Sequence, residues 1–137
     1  HKDTKFGLSE VKIGLIPATI GPYVMKAIGV RQARRYFQTG ERFTGYKAQQ
    51  IGLVHEVFED EEAGNELLTS FIDNLKTNGP EAMKKAKALC DALDYPVIDR
   101  SVIEETASMI AEIRSDTEAQ EGLQAFLNKR PPHWHCR

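Results

Sequence analysis

The stretch FGLSEVKIGLIPATIGPYVMKAIG, residues 6–29, decides how this chain is read. One carboxylate, Glu10, heads an apolar run of Val11, Ile13, Leu15 and Ile16, interrupted by Gly14 and closed by Pro17. A short apolar run bounded by Gly and Pro reads as a buried strand, with helix the competing assignment. Gly21-Pro22 then suits a turn into a helix with Pro in its first turn. An acid at the edge of such a run needs a reason, because an unpaired buried carboxylate is costly or takes up a proton. The plainer account is a solvent-facing Glu10 paired with Lys12 or Lys26.

The bulk of the sequence sets bounds around this segment. A length of 137 residues fits one domain, and 41% hydrophobic with 28% charged residues argues against disorder. Lys plus Arg number 18 against 20 Asp plus Glu, which leaves no cationic surplus for nucleic acid. No apolar run approaches the ~18 residues that span a bilayer, and HKDTKFG at residues 1–7 lacks the apolar core of a signal peptide. Two cysteines, Cys90 and Cys136, do not make a disulfide framework, which favours a reducing compartment.

Along the chain, Val24, Ala27 and Ile28 give the first helix an apolar side, and a second helix is expected over Val30–Thr39, stopped by Gly40. Arg31, Arg34 and Arg35 share one face of it, as a solvated cationic face or an anion contact. Thr44 caps a helix running to Gly52, and Leu53–Phe58 alternates like a short strand. Acidic residues 59–62 open a longer helix with the apolar stripe Leu67, Leu68, Phe71, Ile72 and Leu75. Asn78-Gly79-Pro80 ends it and starts another, through about Leu93. Tyr95-Pro96 breaks again before a helix from Val97 to about Ile113, and the last runs from near Asp116 or Thr117 to about Asn128. Strand and helix thus mix in the first 58 residues and the rest is helical.

Several segments carry a family likeness. Ser9–Ala18, SEVKIGLIPA, resembles the P-E-V-x-L-G-L-I-P-x segment of the crotonase family, the enoyl-CoA hydratases and isomerases. Thr39–Phe43, Ala48–Val57, Asn78-Gly79-Pro80, and Glu121-Gly122 with Phe126–Arg130 resemble further pieces of the family's pattern, in the same order. Pro17–Phe37 resembles the branch that hydrates 3-methylglutaconyl-CoA or related branched acyl-CoAs. The likeness implies an α/β, crotonase-type (ββα superhelix) C-terminal portion: residues 1–58 end that core, and residues 59–137 form a helical oligomerisation region. Family members are roughly twice this long and the chain begins at His1 rather than Met, so the resemblance also implies the C-terminal half of a longer protein.

Hydrating an enoyl thioester requires a base to activate water, an acid to protonate the α-carbon and donors for the thioester oxygen. Glu10 matches the second of the family's two glutamates, the proton donor, and apolar surroundings favour the protonated carboxyl that this task needs. The first glutamate lies in a G-G-x-x-E segment with no counterpart here, which implies little activity for these residues alone. The resemblance puts Pro17, Ala18, Gly21 and Tyr23 beside the substrate. Ala18–Tyr23, ATIGPY, stands where many relatives carry G-x-G-G-T-Q, and only Gly21 keeps the glycine character, so the bulkier Thr19, Ile20 and Tyr23 should reshape the acyl pocket. Tyr23 has two readings, a hydroxyl offered to a substrate carboxylate or a ring packed in the core.

Lys129 matches a C-terminal lysine that in relatives reaches the nucleotide end of CoA, with Arg130 following; a solvated helix end accounts for both equally. Ile110 replaces an aromatic that accompanies that lysine in some relatives. His133, His135 and Cys136 are metal-ligand types at an end expected to be mobile, with no second cluster, so no metal site is expected. His55 reads as packed or surface, and Cys90 as a small buried hydrophobe. The expected partners are an acyl-CoA substrate and further copies of the chain, as a trimer or dimer of trimers, with no cofactor beyond the CoA thioester, no nucleic acid and no membrane. The setting implied is a bacterial cytoplasm or a mitochondrial matrix. An enoyl-CoA isomerase and a non-catalytic CoA-binding or assembly relative stand as alternatives to the hydratase.

Overall fold

The computed structural model describes residues 1–93 and 97–136, so the expected break at Tyr95-Pro96 lies outside the described residues. Among the described residues six α-helices follow one another: α1 (Gly21–Thr39), α2 (Gly45–Gln50), α3 (Glu61–Lys76), α4 (Pro80–Ala92), α5 (Arg100–Ser115) and α6 (Thr117–Leu127). Two compact units divide the chain, His1–Thr69 and a second starting at Ser70.

In the first unit, Phe6 and Phe43 exchange backbone hydrogen bonds of 2.9 and 3.0 Å in an isolated antiparallel bridge. Lys2 N–H reaches Phe58 O at 2.9 Å, and Gly45 N–H reaches Lys2 O at 3.0 Å. Gly45 leaves no room for a side chain, since a β-carbon there would stand 2.7 Å from His1 O. Tyr36, 1% exposed, centres the core with Leu8, Val24, Ile28, Ala33, Phe43, Ala48 and Ile51. Its ring lies 4.4 Å from that of Phe43.

Local signals set most helix ends. Thr44 Oγ1 accepts from Lys47 N–H at 3.4 Å to start α2, and Asp60 Oδ1 accepts from Ala63 N–H at 2.9 Å near the start of α3. Gly40, at φ 57°, ends α1 with its N–H on Tyr36 O. The two expected helices around Gly29 join into α1, and Gly29 itself, at φ 73° and ψ 157°, carries the break between them.

The expected short strands do not form. Glu10–Ile13 is a 3-10 turn, and among the described residues the Phe6–Phe43 bridge is the only β pairing. Gly14, at φ 77°, folds the chain back so that Gly14 and Leu15 N–H meet Val11 O and Glu10 O at 3.2 and 3.0 Å. The backbone is thereby satisfied locally, and Ile13 and Ile16 stay 75% and 74% exposed. Leu53–Phe58 is irregular for lack of a neighbouring ladder, and His55 is exposed.

The second unit is built on helix ends rather than on a core. Gly79 precedes Pro80 without a side-chain cap, and a carboxylate from α6 takes that role. Glu118 accepts from Ala82 N–H at 2.8 Å and Glu81 N–H at 3.1 Å. Lys85 pairs with Asp116, and Asp99 Oδ1 caps α5 through Val102 N–H at 3.0 Å. α5 therefore starts three residues later than expected, at Arg100, where this cap sits. Cys90, expected to be buried, is exposed. An apolar groove of about 410 Å³, lined by Ala82, Ala86, Leu89, Met109, Ile110 and Ile113, opens along α4 and α5.

Candidate functional site

Glu10 opens the 3-10 turn, and its own carbonyl is used up by the returning Gly14 and Leu15 amides. The turn rests on the C-terminal end of α1, where a β-carbon at Gly40 would stand 3.2 Å from Val11 Cγ2. Glu10 is half-buried, and its Oε2 is shut from solvent with no hydrogen-bond partner among the described residues. Buried polar atoms are nearly always paired in folded proteins, so an orphan carboxylate oxygen is the strongest chemical signal in this unit. A carboxyl so placed has a free oxygen with which to give or take a proton at a bound group.

The sequence from Pro17 to Tyr23 follows directly. Pro17 is buried and its carbonyl accepts from Gly21 N–H at 2.7 Å, which sets the entry into α1. Gly21 is buried against Phe37, whose Cε2 would lie 3.5 Å from a β-carbon there. Ala18 is exposed, with its N–H on Ile16 O at 2.8 Å. Tyr23 is 76% exposed, so the core-packing reading of its ring does not hold. Glu10, Pro17, Ala18, Gly21 and Tyr23 thus all lie in the first unit. Of the arginine face on α1, Arg35 is engaged, its Nε and Nη2 giving hydrogen bonds of 2.5 and 3.2 Å to the Glu41 carboxylate, whose pKa they lower.

Lys129 belongs to the second unit, exposed and just past the end of α6. The terminus expected to be mobile is tied down here. Arg130 donates to both oxygens of Glu121 at 2.6 and 2.8 Å, His133 N–H donates to Glu121 at 3.2 Å, and Trp134 Nε1 donates to Thr77 O at 3.2 Å. Arg130 foremost holds the Glu121 carboxyl down at a pKa of about 2. In the sequence Glu121 stands out only as a motif member and Arg130 as a cation following Lys129; nine residues apart, they carry no periodicity that would pair them. Among the described residues no three His, Cys, Asp or Glu side chains gather as metal ligands, and no helix is long and apolar enough to cross a membrane.

The family model described as enoyl-CoA hydratase/isomerase matches residues 1–137. Mitochondrial methylglutaconyl-CoA hydratase of Mus musculus is 30% identical over 135 residues, covering 95% of this chain and 42% of that protein. The crystal structure of an enoyl-CoA hydratase from Shewanella pealeana is 44% identical with a TM-score of 0.88, covering 97% of this chain and 49% of that one. Pseudomonas aeruginosa AtuE is 36% identical with a TM-score of 0.90, covering 98% of this chain and 52% of that one. The chain therefore spans about half the length of these relatives.

Proposed function

Because the chain belongs to the enoyl-CoA hydratase/isomerase family, we propose that it takes part in the reversible addition of water to a 2-enoyl-CoA, with Glu10 as the proton donor. Water oxygen bonds to the β-carbon as a base removes its proton, the electron pair moves through the conjugated system onto the thioester oxygen, and Glu10 returns a proton to the α-carbon. The observation that carries this reading is the buried, unpartnered Oε2 of Glu10. The base and the oxyanion donors are not assigned to residues of this chain.

The substrate proposed is a branched 2-enoyl-CoA such as 3-methylglutaconyl-CoA. The likeness to the mouse hydratase supports it, as do the bulky Thr19, Ile20 and Tyr23 after Pro17. Pro17, Ala18, Gly21 and Tyr23 border the acyl part, and Lys129 meets the nucleotide end. Residues 1–58 end the crotonase core and carry Glu10 and the acyl-side residues, and residues 59–137 form the helical region that assembles copies into a trimer or dimer of trimers. Exposed apolar side chains such as Phe126 and Leu127 support that assembly. A bacterial cytoplasm or mitochondrial matrix is the setting proposed.

Glu10→Gln in the intact protein tests the reading. The expected outcome is a loss of about 10²–10⁴-fold in kcat for enoyl-CoA hydration, with binding of coenzyme A retained. Near-normal turnover removes Glu10 from the reaction. Double-bond migration without incorporation of labelled water oxygen would replace the hydratase by an isomerase.

A further inference from the structure

Resting on that reading and deepening it, we propose that Glu121 and Trp134 are positioning residues for Lys129: they hold its backbone in a left-handed turn that presents its ammonium to an anionic group of the CoA nucleotide. Lys129, at φ 51°, is the only non-glycine residue with positive φ among the described residues. It sits at the position after a helix cap that glycine usually fills, since Lys129 N–H bonds Phe126 O at 3.1 Å and Arg130 N–H bonds Ala125 O at 3.0 Å. Glycine would make the same two bonds without the steric cost of a β-carbon. A side chain kept in such a conformation is held there by its surroundings, and positions of this kind gather at ligand sites.

The holding groups are on both sides of the turn. Arg130 is fixed by its two bonds to Glu121 and a third, 3.1 Å, to Pro131 O. Glu121 also takes the His133 N–H, and the Trp134 ring closes on Gly122, where a β-carbon would stand 3.1 Å from Cη2. Arg130 is thereby neutralised by Glu121. The Lys129 side chain is left exposed, with no hydrogen bond or ion pair among the described residues. Of the two adjacent cations, the strained one is the one free to meet an anion.

Calorimetric titration of the intact protein with coenzyme A and with 3′-dephospho-CoA tests this. Lys129→Ala and Glu121→Gln should each weaken CoA binding about three- to tenfold, and the double variant should bind no more weakly than Lys129→Ala alone. Both should raise KM and leave kcat unchanged. Lys129→Gly should raise the midpoint of thermal unfolding while weakening CoA, a split that a merely structural lysine would not produce. Equal losses for the two ligands would place the contact on the diphosphate, and a loss confined to CoA on the 3′-phosphate; either supports the proposal. Trp134→Phe, which removes the indole N–H and the ring edge that closes on Gly122, should act in the same direction and serves if Glu121→Gln fails to fold. Unchanged affinity in the folded variants, or losses that add, would overturn the proposal while leaving the acyl-CoA reading intact. Failure of the unaltered protein to bind CoA would overturn that reading first.

Discussion

The two units of this chain are held together in different ways. In His1–Thr69, seven buried apolar residues pack around Tyr36. From Ser70 onward, Gly79 and Ala125 are the only buried residues among those described, and neither α4 nor α5 buries a residue. Directional polar contacts take the place of a core there: Glu118 on the amides of α4, Lys85 with Asp116, Arg130 with Glu121, and Trp134 on Thr77. Burial is non-directional and uses up apolar surface, whereas capping and ion pairs fix geometry and leave apolar faces outside. The second arrangement suits a region that keeps Leu123, Phe126 and Leu127 on its surface.

The contrast breaks most sharply at Tyr36. Replacing it by Ala should cost about 3–5 kcal/mol through the cavity left in the first unit, read as a fall in the denaturant midpoint. A cost below about 1 kcal/mol would mean that the apolar cluster does not hold this unit. Glu118→Ala is the corresponding cut in the second unit and should cost about 1 kcal/mol, the usual worth of a helix cap. Amide exchange at Glu81 and Ala82 should accelerate with it, and unchanged exchange there would remove the carboxylate from its capping role.

The smallest effect is one of pH. The Glu121 carboxyl is depressed from 4.5 to about 2 in the folded chain, so its contribution is complete above pH 4.5 and drains away as pH falls towards 2. Fluorescence of Trp134, the only tryptophan, should report release of the 130–135 segment across that window. Glu121→Gln should abolish the transition; its persistence would assign it to another group.

Much of the helical layout was legible, because it depends on residues near in sequence. Thr44, Gly40 and Pro80 mark ends that local backbone chemistry dictates, and all three stand at helix ends. The run from Val11 to Ile16 was misread for a physical reason. An apolar stretch has the same composition whether it is paired in a sheet or folded on itself, and Gly14 makes the second possible. Glu10 drew notice as an acid beside apolar residues, but its orphan oxygen depends on what the turn packs against. The polar contacts of the second unit were invisible, since they join residues 9 to 57 positions apart with no repeating interval.

The Glu118 cap also has a consequence for how the chain is made. α4 leaves the ribosome before the carboxylate that completes its first turn has been synthesised, because Ala82 precedes Glu118 by 36 residues. At about 5–20 residues per second, that delay is about 2–7 s. During biogenesis the amide end of α4 is therefore solvated by water first and finished by protein only after α6 has emerged.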